Sequence, residues 1–524
     1  MGKGGCQPTI TSKIQPSISK RNKAITHDEL SQKTSIQECW IAYESKVYDV
    51  THWLAKHPGG VRSIMSAAGQ DATSVMKSLH HPSTLETMMK RTRQVGVLID
   101  KKTDDKNNDY KGKEKKEETL DSKEMRARKR SQEIHDEFQK LNQELQEEGW
   151  YDAKPLEYIP DILRVAMFAL IGVKLVLLST ESTFWNQISL VIGSLFLGLF
   201  LQNIAFMGHD AGHGSITGNF TFDLYFGFLV GNAFAGIDVS WWKSTHYVHH
   251  SATNSLHDDP DIQHMPLLCF DERFYENRWS TYHGKYMTLD KLGTMLLPYQ
   301  HYYYFPVMAV ARVNLYIQSM IYLLKTCPLF KGKSAGTEIV DELGQVKEMY
   351  AWPAPSLKIW TMSVLSIMFY WYVCVYSLLS KLSTQDAVIC FFVSHMMAGL
   401  LHVQILLSHV AMHYCADGHG STDAITAPNG NDSAGYYEWQ ALSTMDVDCP
   451  TWMDWFHGGL QFQLEHHLFP RVPRRHLRAL CQRTDAIFEK YNVPVVRIPF
   501  VEANRKVLRH MAIVGAKAAK VKSM

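Results

Sequence analysis

Residues 188–213 read ISLVIGSLFLGLFLQNIAFMGHDAGH: an uncharged apolar run to 207, then His209 and His213 four positions apart. A bilayer core takes roughly 20 apolar residues in a helix, so this stretch reads as a membrane span delivering two imidazoles at its end. Working outward, 162–178 (with Arg164 and Lys174), 359–379 and 387–407 are the other candidate spans. The two cations of the first would have to snorkel or face protein. The short connections 179–187 and 380–386 hold one cation, Lys381, whereas the other loops carry nearly all the rest, including Arg471, Arg474 and Arg475. The positive-inside rule therefore puts both termini and the long central loop in the cytosol. The apolar stretches 220–237 and 302–324 are interrupted or bounded by Asp223, Asp238, Pro306 and Arg312 and are read as interfacial or re-entrant, which preserves the parity of four crossings.

Histidine is the compositional anomaly, with 25 residues, many clustered. His209 and His213 are followed by His246, His249 and His250, and then by Gln463, His466 and His467. On a helix, positions i, i+3 and i+4 share a face, so each cluster aims its imidazoles at one point, and all three fall on the same predicted side of the membrane. A lone histidine at a membrane boundary is an ordinary interfacial residue; seven in three helically spaced clusters are a ligand set. Imidazole suits iron, copper, zinc or nickel, and this many nitrogen donors points to two metals. Asp210, Asp259, Asp261, Asp454 and Glu465 stand beside the clusters, where carboxylates orient imidazoles or serve as caps and solvated groups.

Ahead of the spans, 25–100 reads as a small mixed domain, and 101–118 is a charged linker unable to bury a core. Ile134, Phe138, Leu141 and Leu145 then follow helical spacing, so 122–148 is an amphipathic helix leading to the membrane. The domain carries His57-Pro58-Gly59-Gly60 and a further pair, His80-His81. Two axial imidazoles fill the coordination of a haem iron and leave no substrate site, which suits electron transfer. The organisation expected is a disordered 1–24, a haem domain at 25–100, linker and helix at 101–155, a membrane domain at 156–491 and a basic tail at 492–524.

Trp40-Ile41, Val47-Tyr48-Asp49-Val50, His57–Gly60 and Ala68-Gly69-Gln70-Asp71-Ala72-Thr73 resemble the cytochrome b5 family. The resemblance implies haem b held by His57 and by His81, or by its neighbour His80. Met76 departs from the Phe that family helices often carry. The pattern H-x3-H, H-x2-HH and Q-x2-HH, with Trp241-Trp242-Lys243, Asp259-Pro260-Asp261-Ile262 and the run from Trp452 to Leu460, resembles the membrane fatty acyl desaturases and hydroxylases, in their cytochrome b5-fused front-end branch. That resemblance implies a small α+β cytochrome b5-like domain, then an all-α membrane bundle of about four spans under a cytosolic cap. It further implies a diiron centre on His209, His213, His246, His249, His250, His466 and His467, with Gln463 as the branch's own residue and His409 as an eighth imidazole. His402, His413 and His457 are read as structural.

Function follows as an expectation. No side chain oxidises an unactivated methylene pair, so a metal centre using O2 must, with two electrons per turnover. A fused haem domain supplies them at high effective concentration, from NADH through cytochrome b5 reductase. The lipid substrate is a sphingolipid long-chain base or a fatty acyl lipid or thioester. The runs 241–266 and 299–306 look most like sphingolipid delta-8 desaturases. A hydroxylase with the same centre and a non-catalytic haem- and metal-binding membrane protein are the competing readings; the latter lacks polar residues recurring through the spans. With 54 Lys+Arg against 52 Asp+Glu the chain has no field for nucleic acid. Nine cysteines without a C-x-x-C pair argue against a disulfide scaffold, and residues 1–25 lack the apolar run of a secretory signal. Lys520 and Lys522 near the end resemble a dilysine retrieval signal, which places the chain in the endoplasmic reticulum.

Overall fold

The computed structural model describes residues 23–99, 114–152, 154–179, 183–329, 336–340, 346–415 and 435–521. Most of the expected disordered N-terminus, the charged linker up to 113 and Lys522 therefore lie outside the described residues.

The N-terminal domain is a four-stranded sheet, order β1-β4-β3-β2, with β1 at Ala24–Thr26, β2 at Trp40–Tyr43, β3 at Lys46–Asp49 and β4 at Arg93–Ile99. The β2–β3 hairpin turns on Glu44 and Ser45, both at positive φ, the geometry that matches the twist of paired strands. Helices over Val61–Met65, Thr73–Leu79 and Pro82–Arg91 close a core that includes Leu54, Met65, Met76 and Leu85.

The linker helix, Glu114–Glu147, lays Ile134, Phe138, Leu141 and Leu145 into a core shared with Leu464, Leu468 and Phe488. The sequence spacing of those four residues thus has a physical partner: the layer of short helices over the histidine end.

Behind it come the apolar helices. Ile159–Leu178 packs along Phe184–His213, with Gly172 and Gly193 facing each other so closely that a Cβ on either would meet the other's carbonyl at about 3 Å. Small residues let membrane helices approach in this way. Asp161, Arg164 and Lys174 nevertheless set Ile159–Leu178 apart from the four stretches that, among the described residues, are long and apolar enough to cross a membrane, which are Phe184–His213, Lys291–Lys325, Leu357–Leu379 and Thr384–Leu407. Arg164 is paired with Asp161, and Asp161 in turn with Arg474 at 3.0 Å.

The total of about four apolar helices stands, but the reading of 302–324 as interfacial is corrected. Gln300–Lys325 is one continuous helix through Pro306, and Arg312, taken as a break, is wholly buried, its Nε donating to the Tyr316 hydroxyl and its Nη2 to the Ala235 carbonyl. That carbonyl lies in the break between Phe220–Phe234 and Val239–Ser251, two apolar segments bent by 109°.

The fold class stands, and a further difference concerns the C-terminal end. Residues after 491 form no separate tail: Arg497–Pro499 pairs in parallel with Asp446–Asp448, and Phe500–Val521 is an amphipathic helix burying Ala503, Val507, Met511, Val514 and Ala518 against Leu297 and Met308. The helical domain also contains small two-stranded sheets, at Arg278–Ser280 with Lys285–Met287 and at Gly336–Val340 with Val346–Tyr350.

Candidate metal centres

His209 and His213 occupy the last turn of Phe184–His213, which ends on Gly214 at φ 70°. Gly212, immediately before His213, is held to glycine by the Trp242 ring, 2.1 Å from where a Cβ would stand. His246, His249 and His250 line one face of Val239–Ser251, whose first turn is capped by Asp238, its Oδ1 accepting from Trp241 N at 2.8 Å. Gln463, His466 and His467 share the short helix Gln463–Leu468, and His409 follows Leu400–Leu407.

These elements bring the imidazoles together as two groups. Ligand atoms of His209, His213, His246 and His466 all lie within 4.8 Å of one another, and so do those of His249, His409 and His467. His250 stands between the groups, its Nε2 3.0 Å from His246 Nε2 and its ring 4.3 Å from that of His467. Among the described residues, the buried Nε2 atoms of His209, His213 and His466 have no hydrogen-bond partner, an arrangement that costs free energy unless a cation takes the lone pairs.

The second group is oriented from behind. His249 Nδ1 meets Asp259 at 2.9 Å, His409 Nδ1 the Ser443 carbonyl at 3.1 Å, and His467 Nδ1 the Gln440 Oε1 at 3.0 Å. With Nδ1 engaged, each ring presents Nε2 inward, the usual support for a metal-ligating imidazole. Burial, reinforced by neighbouring imidazoles, pushes His466 and His467 well below the ordinary imidazole value, so both are neutral at physiological pH, the form that binds metal. The donor set fits two borderline metal ions.

Gln463 Nε2 lies 3.2 Å from the Nε2 atoms of both His409 and His467, while its Oε1 is buried without a partner among the described residues. Amide oxygen and nitrogen exchange places by a simple flip, and the flipped group would turn an acceptor toward the same point as the two rings.

Of the carboxylates beside the clusters, Asp259 supports an imidazole directly, and Asp261 lies farther, 3.8 Å from His249 Nδ1. Asp210 is held by the Tyr158 hydroxyl at 2.9 Å, Asp454 by Arg478, and Glu465 by Thr484 and Arg497. Gln440 and Ser443, which no spacing rule marks, orient His467 and His409 as Asp259 orients His249. Trp242, stacked on His246 at 4.3 Å, walls the first group. His402, His413 and His457 stand outside both groups, His457 against the Gln404 amide at 3.2 Å.

In the N-terminal domain His57 faces His80, not His81. The two rings have centroids 5.9 Å apart, about the separation of imidazoles bound on opposite sides of one metal with bonds of ~2 Å. Both Nδ1 atoms turn to backbone carbonyls, His57 to Gly60 at 3.3 Å and His80 to Met76 at 3.0 Å, which leaves both Nε2 atoms for the gap. Burial, then the neighbouring His80, pushes His57 down to about 3. His81, expected as the second ligand, is exposed and caps the next helix, its Nδ1 accepting from Ser83 N at 3.2 Å. The physical reason is local: the helix ends at Leu79 and the chain turns extended at His80, so consecutive side chains point to opposite sides. His57 and His80 fit a six-coordinate haem.

The comparisons with known proteins follow this division. A family model described as fatty acid desaturase matches residues 186–499, and one described as cytochrome b5-like heme/steroid binding domain matches residues 26–99. The Delta(8)-fatty-acid desaturase of Helianthus annuus is 32% identical over 94% of this chain and 92% of its own length. The acyl-lipid (9-3)-desaturase of Borago officinalis is 30% identical over 93% of this chain and 92% of its own. The Delta 8-(E)-sphingolipid desaturase of Emericella nidulans is 29% identical over 89% of this chain and 90% of its own.

Proposed function

From the premise that this chain belongs to the fatty acid desaturase family and carries a fused cytochrome b5-like domain, we propose that it is a front-end lipid desaturase. Its substrate is the hydrocarbon chain of a sphingolipid long-chain base or of a fatty acyl lipid or thioester, with the new bond at the delta-8 position. The observation that carries the reading is the pair of buried imidazole groups bridged by His250.

Bound iron supplies, with O2 and two electrons, an oxidising power that no side chain has. The chain's own residues do the rest. His209, His213, His246 and His466 would hold one metal and His249, His409 and His467 the other, with His250 between the two groups and Gln463 beside the second. Asp259, Ser443 and Gln440 fix ring orientation from behind, which holds the donors in place through successive turnovers. Burial of both groups keeps water from the reacting carbons and strengthens each charge interaction inside. His57 and His80 would hold haem b, and two imidazole ligands would fit it to pass electrons rather than to bind substrate.

Cytochrome b5 reductase, taking electrons from NADH, is the donor this arrangement calls for, and a cytosolic placement of both termini at the endoplasmic reticulum brings donor, haem domain and lipid to one side of the membrane.

The test is expression in yeast lacking front-end desaturases, with fatty acids fed and double bonds located by mass spectrometry in total fatty acids and in long-chain bases. A new bond in either pool that disappears in His466→Ala supports the reading and names the substrate. Hydroxylated products in its place would make the chain a hydroxylase; a double bond surviving His466→Ala would overturn the metal assignment.

A further inference from the structure

The N-terminal domain is docked against the layer that holds the third histidine cluster. Arg62, buried, donates from Nε to the Thr281 carbonyl at 3.2 Å and from Nη2 to the Tyr350 carbonyl at 3.3 Å, and Ser66 Oγ meets Ser251 Oγ at 2.8 Å. These contacts anchor the domain on the side of the first imidazole, His57.

On the other side, the segment bearing His80 is hydrogen-bonded directly to the segment bearing His467. Ser78 Oγ donates to the Leu468 carbonyl at 2.9 Å and lies 3.4 Å from the His467 carbonyl. Arg471 Nη1 donates to the His80 carbonyl at 3.2 Å. The Tyr436 hydroxyl reaches Ser78 Oγ at 3.5 Å and the His467 carbonyl at 3.4 Å, which closes the contact on itself. Ser78 is two residues from one imidazole that fits an iron and touches the backbone of another.

We propose that Ser78 is a positioning residue for electron delivery: its hydroxyl holds the His80 segment in register with the His467 segment, so that an electron leaving a haem at His80 reaches a metal at His467 through covalent bonds and one hydrogen bond. The proposal rests on the reading of His57 and His80 as haem ligands and of the two imidazole groups as the metal site. Each transfer oxidises the haem iron by one electron and reduces one metal by one electron; no atom or proton crosses the hydroxyl. Because Arg62 and the Ser66–Ser251 contact anchor the domain independently, loss of the Ser78 hydroxyl loosens the register without releasing the domain.

The experiment uses the full chain loaded with haem and iron. The haem is photoreduced without O2 or substrate, and its reoxidation by the ferric metal centre is followed in the visible spectrum for the wild type, Ser78→Ala and Ser78→Thr. Ser78→Ala is expected to slow reoxidation roughly fivefold, the worth of one interfacial hydrogen bond, and Ser78→Thr, which keeps a hydroxyl, to restore it. The haem spectrum and midpoint potential should match the wild type in both, which a change at the haem itself would not allow. Wild-type reoxidation in Ser78→Ala, or failure of Ser78→Thr to recover, overturns the proposal. A wild-type chain without a bis-imidazole haem spectrum would overturn the haem reading instead, and this proposal with it.

Discussion

At the scale of single residues, His80 and His81 show where reading by spacing stops. The sequence places two histidines one position apart, and only the end of the preceding helix decides which of them faces His57. In the structure the extended backbone at His80 turns its ring inward and sends His81 to the surface. His80→Ala is therefore expected to abolish the bis-imidazole haem spectrum, while His81→Ala leaves it intact; the visible spectrum of purified protein reads both. The pairing of Asp446 and Glu465 makes a second case. Both carboxylates are buried, and burial together with the neighbouring Asp446 raises Glu465 well above the ordinary carboxylate value, while Arg497, 3.1 Å from Asp446 and 3.5 Å from Glu465, supplies the compensating charge. Removing one partner from a buried charge network costs about 3–5 kcal/mol. Arg497→Leu should lower thermal stability accordingly, and also disturb the helix carrying His466, since Asp446 Oδ1 accepts from Leu464 N at 3.0 Å. The three histidine clusters themselves were legible, because helical spacing on a membrane-bounded face leaves few other readings. Gln440 and Ser443 were not, because an amide and a backbone carbonyl carry no pattern.

At the scale of elements, the same periodicity was legible in one helix and overlooked in another. Ile134, Phe138, Leu141 and Leu145 announce the linker helix, and all four are buried. Ala503, Val507, Met511, Val514 and Ala518 repeat that three-and-four spacing, yet the surrounding lysines and arginines make the stretch look like a basic tail. The cations line the outer face, and the inner face closes the core around Leu297 and Met308. Truncating a buried methionine costs about 2–5 kcal/mol, so Met511→Ala should destabilise the membrane domain by that amount, as measured by thermal or denaturant unfolding in detergent. A true tail would tolerate the change without effect. The helix Gln300–Lys325 was misread for a related reason. A proline and an arginine end most apolar runs, but here the neighbouring break at Ala235 gives Arg312 a carbonyl to cap, and a buried cation that satisfies a broken helix is tolerated inside a bundle.

At the scale of the whole molecule, the docked haem domain makes the two modules one device, and its attachment is expected to respond to protons through one histidine. The linker helix meets the haem domain through His135, whose Nδ1 lies 2.7 Å from Ser74 Oγ. Burial holds His135 below the ordinary imidazole value of 6.5; Lys77 acts in the same direction, and Asp71, Asp136 and Glu44 oppose it. A histidine whose value is lowered by docking binds its proton more readily when undocked. The docked arrangement is therefore fully stabilised above about 6.5, the value of a free imidazole, and loses that contribution as pH falls from there through the lowered value. Hydrogen exchange of the helix Thr73–Leu79 should accordingly rise as pH drops below 6.5, once the intrinsic pH dependence of exchange is divided out. His135→Gln, which keeps a hydrogen-bonding group but cannot titrate, should flatten that rise. An equal rise in wild type and variant would assign the proton sensitivity to another group and remove His135 from the docking contact.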